Sequence, residues 1–176
     1  MEKLTGERIL VVGGTGFLGY HLLRAAKAKG LAATSFSLHP QKTRRRVEGV
    51  QYVQVDLADK IAVKSAISEG YEYVVNLSGY IDHSYYSGNG KTVVNTHFHG
   101  LINLVERLDW EPLKSFVQVG SSDEYGPAPA PQKEFMRELP FSPYSFSKAA
   151  ATNFLEMLSR TEQFPVVIIR PFLTYG

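Results

Sequence analysis

Six short runs rich in β-branched and aromatic residues recur along this 176-residue chain, and stretches with helical spacing lie between most of them. RILVVGG (residues 8–14), LAATSFS (31–37), VQYVQVD (50–56), YEYVVNLSG (71–79), KSFVQVGSS (114–122) and PVVIIRP (165–171) read as strands. FLGYHLLRAAKAKG, DKIAVKSAISEG, KTVVNTHFHGLINLVERL and SPYSFSKAAATNFLEML read as helices, and the first two end in a glycine stop. Strands that alternate with helices predict an α/β fold, a doubly wound parallel sheet with helices on both faces. Each right-handed crossover must lay its helix over a sheet face. No internal repeat and no low-complexity segment interrupts the pattern, and the length is that of one domain spanning residues 1–176.

Composition narrows the function classes. Apolar residues make up 44%, enough for a core, while a net charge of +2 carries no large electrostatic footprint for nucleic acid. The chain has no cysteine, which excludes disulfides and thiolate metal sites and fits a reducing compartment. The apolar runs fall far short of the ~20 residues of a membrane helix, and MEKLTGERILVVGG does not read as a signal peptide. A cytoplasmic protein with no membrane partner is the expectation.

GGTGFLG spaces Gly13, Gly16 and Gly19 between the first strand and the first helix. In that position glycines permit a tight turn and let a phosphate approach the helix N-terminus, where free N–H groups and the dipole favour anions. The plain alternative is a glycine-rich turn that binds nothing. The second strand ends SFSLHP without an acidic residue, and Lys42, Arg44, Arg45 and Arg46 follow. An acid there would bind the ribose hydroxyls of NAD. Ser37, His39 or a basic residue would instead meet a 2′-phosphate, which favours NADP, with NAD as the alternative. A solvated basic loop is the plain reading of the same charges.

Tyr144 and Lys148 stand four apart in the last helical stretch, which places them on one face. An ammonium beside a phenol favours the phenolate and lowers its pKa, so the pair is suited to moving a proton.

GGTGFLG resembles the extended branch of the short-chain dehydrogenase/reductase superfamily, the NAD(P)-dependent nucleotide-sugar epimerases and dehydratases. The resemblance extends in order through VDLAD, NLSG, VGSSDEYG, the Tyr144–Lys148 pair and RPFLTYG, nearly the whole chain. It implies a Rossmann-type sheet in the order 3-2-1-4-5-6. It also implies cofactor contacts at Gly13, Gly16, Phe17, Leu18, Gly19, Ser37, His39, Asp56, Leu57, Leu77, Ser78, Gly79, Tyr144, Lys148 and Pro171. Ser121, Tyr144 and Lys148 would be the catalytic set: Ser121 polarises the reacting oxygen, Tyr144 exchanges its proton, and Lys148 lowers the pKa of Tyr144 and holds the nicotinamide ribose. A homodimer through residues 91–108 and 142–158 is implied as well.

Three departures shape the functional expectation. Where sugar-nucleotide dehydratases carry a glutamate base, this chain has Asp123, one methylene shorter. That leans toward an NDP-4-keto-6-deoxysugar 4-reductase or a 4-epimerase and away from a dehydratase. Asp123 and Glu124 otherwise read as an exposed acidic turn. A family Asn slot in the long helix is taken by His97, and with His99 two residues on, no metal set is in view, so both read as packing or surface residues. Extended members run well over a hundred residues further, so the substrate-binding part is expected to lie outside these 176 residues. A regulatory dinucleotide-binding module and a reductase of non-sugar carbonyls are the competing functions. The presence of both Tyr144 and Lys148 argues against the first, and the SSDEYG turn against the second.

Overall fold

The computed structural model describes residues 4–41 and 45–175. Lys42 and Arg44 of the basic loop, and Gly176 at the end of RPFLTYG, lie outside them. Among the described residues one sheet of six parallel strands forms, in the order β3-β2-β1-β4-β5-β6. The strands are β1 (Arg8–Val12), β2 (Ala32–Ser37), β3 (Val50–Gln54), β4 (Tyr73–Asn76), β5 (Ser115–Val119) and β6 (Val166–Ile169). The expected doubly wound Rossmann-type order is observed.

Side-chain alternation along β1 sets the two layers. Ile9 and Val11 face α1 (Phe17–Ala28) and pack with Leu23, Ala26 and Ala33. Leu10 and Val12 face the other way, into a larger core with Phe36, Val74 and Phe116. That second layer is closed by α2 (Lys60–Ala66), α4 (Gly100–Arg107) and α5 (Pro143–Glu162), through Val63, Leu101, Leu104, Val105, Leu155 and Leu158. Burial on both faces is what a parallel sheet requires. It thins at β6, where Val167 on the α1 side is 51% exposed because α1 lies over β1 and β2.

Helix starts follow local chemistry. Asp59 caps α2 by accepting the N–H groups of Ile61 and Ala62. Ser142 caps α5, with Pro143 at the first position where its missing N–H costs nothing, and Ser145 completes a reciprocal box. The long helix expected over residues 91–108 is one helical path of mixed pitch. α3 (Lys91–Val94) passes through a wider π turn (Asn95–His99) into α4. A π turn carries one extra residue and shifts which side chains face inward. No helix among the described residues is long and apolar enough to cross a membrane.

Leu155 is fully buried where α5 meets the sheet, and Ile61 is exposed at the start of α2. Leu155→Ala is expected to lower the unfolding free energy by about 2–5 kcal/mol. Ile61→Ala should stay within about 0.5 kcal/mol. Urea melts of both variants check this.

Candidate active site

All six strands point the same way, so their carboxyl ends share one edge of the sheet, and two adjoining cavities of about 250 and 380 Å³ open there. Leu77, Ser78, Gly79 and Tyr80 line both cavities and form the saddle between them.

The first cavity is bounded by Gly13, Thr15 and Gly16 after β1, Ser37 and His39 after β2, and Asp56 and Leu57 after β3. Its floor needs its glycines. A Cβ on Gly19 would stand 2.4 Å from the Gly13 carbonyl oxygen, and one on Gly13, which has φ +82°, would stand 3.0 Å from the Leu77 backbone. Ser37 fastens the turn, accepting the Thr15 N–H at 3.2 Å. Gly16 precedes α1 with no side-chain cap and no acid in the first turn. The leading N–H groups of α1 therefore have no intrahelical partner. Phe17 and Leu18 turn exposed side chains away and line neither cavity, so backbone N–H is what they offer. Gly19 is buried beneath the turn. A tight glycine cradle facing an uncapped helix fits a dinucleotide pyrophosphate. In the basic loop after β2, the Arg46 guanidinium lies over the Tyr52 ring, 5.9 Å from its centroid.

The second cavity gathers Ser121, Tyr144, Lys148 and Pro171, with Asp123 and His83. The sequence-predicted catalytic set thus meets at one place from the turn after β5 and from α5, beside Pro171 from the segment after β6. Asn76 organises the saddle. Its side chain donates to Gln118 at 2.9 Å and accepts from the Ser78 N–H and hydroxyl at 3.1 and 2.6 Å. Lys148, 6% exposed, donates from Nζ to the carbonyls of Ser78 and Val119, both at 3.2 Å. Burial lowers its pKa to about 8, with Glu124 pulling the other way.

Here the structure corrects the expected electrostatics. Tyr144 stands above the usual phenol pKa. Burial is the main cause, a hydrogen bond with Ser121 opposes it, and the negative charges of Asp123 and Glu124 add to it. Lys148 directs hydrogen bonds to the backbone carbonyls of Ser78 and Val119.

A second correction concerns Glu124. It is 0% exposed rather than part of an exposed acidic turn. Its carboxylate accepts from the Ser121 N–H, the Thr152 hydroxyl and Arg170 Nε, each at 2.8 Å, and Arg170 reaches on to Glu138 at 2.6 Å. A buried carboxylate with three donors, one of them an ion-pair partner, is satisfied where a free one would not be. It ties the turn bearing Ser121 to α5 and to the end of β6.

Sequence reasoning missed His83. Its ring packs edge-on to Tyr144 with centroids 5.5 Å apart. Its Nδ1 lies 3.3 Å from Ser142 Oγ, and its Nε2 lies 3.7 Å from Asp123 Oδ2. A histidine in a Gly/Tyr/Ser-rich loop has no spacing that marks it. His97 is buried and His99 exposed. Among the described residues no group of three His, Asp or Glu side chains could hold a metal.

A sequence model of the NAD dependent epimerase/dehydratase family matches residues 9–176. The chain is 31% identical over 196 aligned positions to a "Probable dTDP-glucose 4,6-dehydratase" of Sinorhizobium fredii, covering 96% of this chain and 54% of that protein. It is 28% identical to the dTDP-D-glucose 4,6-dehydratase of Homo sapiens, covering 97% and 52%. The UDP-glucose 4-epimerase of Thermus thermophilus, solved in complex with NAD, superposes with a TM-score of 0.81 at 26% identity, covering 93% and 54%. The chain spans about half the length of these relatives.

The buried ammonium has a consequence for stability. Lys148 titrates near 8 in the folded chain against an ordinary value of 10.5. Between those values the unfolded chain binds more protons, so stability rises with pH across that window. Below about 8 both states are protonated and the penalty is constant. Relative to Lys148→Met, the wild-type unfolding free energy is expected to gain on the order of 3 kcal/mol from pH 8 to 10.5. Denaturant melts of both chains across that range check it.

Proposed function

The chain belongs to the NAD dependent epimerase/dehydratase family, and from that premise we propose that residues 1–176 are the dinucleotide-binding domain of an NAD(P)-dependent enzyme acting on a nucleotide-linked sugar. The observation that carries the reading is the convergence of Ser121, Tyr144 and Lys148 in the cavity that adjoins the glycine-floored one. The nicotinamide cofactor, when bound, supplies the hydride chemistry. Gly13, Gly16 and the first N–H groups of α1 would hold its pyrophosphate, and Ser78, Gly79, Lys148 and Pro171 would line the nicotinamide end. Tyr144 exchanges a proton with the C4 oxygen of the sugar, Ser121 hydrogen-bonds that oxygen, and Lys148 holds the neighbouring ribose. The reaction is hydride transfer at C4, as in a 4-keto-6-deoxysugar 4-reductase or a 4-epimerase.

NADP is the favoured cofactor because β2 ends without an acid and Ser37 and His39 line that end of the cavity. The same reading includes a cytoplasmic homodimer through residues 91–108 and 142–158. Phe146 and Met157 stand exposed on α5, apolar area for such a contact. A second reading, a 4,6-dehydratase, is favoured by two dehydratase relatives and by Asp123, which lines the same cavity as Tyr144 with His83 beside it.

Calorimetric titration of the chain with NADPH and then NADH tests the cofactor. Tight NADPH and weak NADH binding is the expected result, and binding of neither removes the dinucleotide reading. In the polypeptide carrying this chain, Tyr144→Phe should slow turnover of a nucleotide sugar about 100-fold or more. Its cofactor affinity should stay within about threefold, because the ring remains and only the proton-transfer group is lost. Mass spectrometry of the product separates the three reactions: 4-reduction adds two hydrogens, epimerisation leaves the mass unchanged, and dehydration removes one water.

A further inference from the structure

His97 is 3% exposed and sits in the π turn, where the extra residue turns it inward. Its hydrogen bonds fix a single tautomer. Nε2 accepts the Tyr80 N–H at 3.1 Å, so the ring proton belongs on Nδ1. Nδ1–H then donates to Ser147 Oγ at 3.1 Å, and the Ser147 hydroxyl donates its own proton to the Tyr144 carbonyl at 2.8 Å. Each ring nitrogen and the Ser147 hydroxyl are satisfied, and the chain of bonds runs from the saddle between the cavities to the first turn of α5.

The saddle depends on that anchor. Asn76 holds its start through Ser78, and His97 holds its end through Tyr80. Between them stands Gly79 at φ +129°, where a Cβ would lie 3.0 Å from His97 Nε2 and 3.2 Å from Lys148 Nζ. The Ser78 carbonyl in this turn is one of the two acceptors of Lys148. The imidazole also packs edge-on to the rings of Tyr80 and Tyr144, with centroids 5.3 and 5.6 Å apart.

We infer that His97 is a positioning residue: it fixes the Ser78–Tyr80 turn against α5 and so sets where the Lys148 ammonium sits in the cavity it shares with Tyr144. The inference rests on reading Tyr144 and Lys148 as the working pair. A histidine that only filled space would leave the lysine's environment untouched when replaced by a ring of similar size. A cationic imidazole would lose its acceptor for Tyr80 and face Lys148. Burial first, and Lys148 second, keep it neutral down to about pH 3.

The test uses NMR on the folded chain, with labelled histidine nitrogens and lysine side chains, for the wild type, His97→Phe and His97→Gln. The titratable groups facing His97 are Lys148, Tyr144 and Tyr80, so the lysine titration is followed alongside. In the wild type the imidazole is expected as the neutral Nδ1–H tautomer from about pH 4 to about pH 9. His97→Phe should move the Lys148 midpoint by about half a pH unit or more and weaken NADPH binding about tenfold. His97→Gln keeps one acceptor and one donor and should recover most of both. Titration of the wild-type imidazole between about pH 5 and 7 overturns the inference. So does a Lys148 midpoint unchanged in His97→Phe. If His97→Phe does not fold, the wild-type tautomer and the recovery in His97→Gln decide it in the same two directions. These lysine and imidazole signals need no cofactor, so a chain that shows them yet fails to bind NADPH sinks the dinucleotide reading and leaves this one standing.

Discussion

The parallel direction of all six strands is the constraint on which everything else depends. A parallel neighbour cannot be reached by a tight hairpin, so the chain must cross over after nearly every strand, and the crossovers supply the helices that bury both faces. The same direction brings every strand's carboxyl end to one edge. The glycine turn after β1, the ends of β2 and β3, the saddle after β4 and the Ser121 turn after β5 are neighbours for that reason alone. Open sheets of this kind bind ligands in the crevice at that edge, beside the point where the strand order reverses. Here the reversal falls between β1 and β4, with the glycine turn on one side and the saddle on the other.

Edges of parallel sheets are made of loops, and loops hold a site only if something stiffens them. This chain uses buried polar groups. Glu124 binds the Ser121 turn, Thr152 of α5 and Arg170 at once. Asn76 and Gln118 pair beneath the saddle. Removing one partner of such a network leaves a buried group unpaired, which costs more than the bond itself contributes. The apolar core fixes the sheet, and these polar clamps fix the residues at its edge.

Much of the fold was legible because its signals are local. β-branched runs, glycine stops and the strand–glycine–helix context of Gly13, Gly16 and Gly19 each occupy a few adjacent residues. The Tyr144–Lys148 pair was legible for the same reason, since four residues on a helix is a fixed geometry. What escaped was decided by contacts far apart in the chain. Glu124 read as a surface acid because nothing in SSDEYG reveals Arg170, 46 residues on. His83 read as loop, and its neighbours Asp123, Ser142 and Tyr144 lie beyond any motif window.

The sequence by itself determined the alternation of elements, the strand-to-helix glycine turn and the one-face spacing of Tyr144 and Lys148, because propensity, periodicity and short spacing act within a turn or a strand. Tertiary structure alone decided how those groups are charged and held. Burial raised Tyr144 and lowered Lys148, backbone carbonyls from β5 and the turn after β4 took the ammonium that the phenol was expected to meet, and the π turn swung His97 inward to the saddle. The physical reason is that solvation and hydrogen bonding depend on what the fold brings alongside a residue, and that is written nowhere near it in the chain.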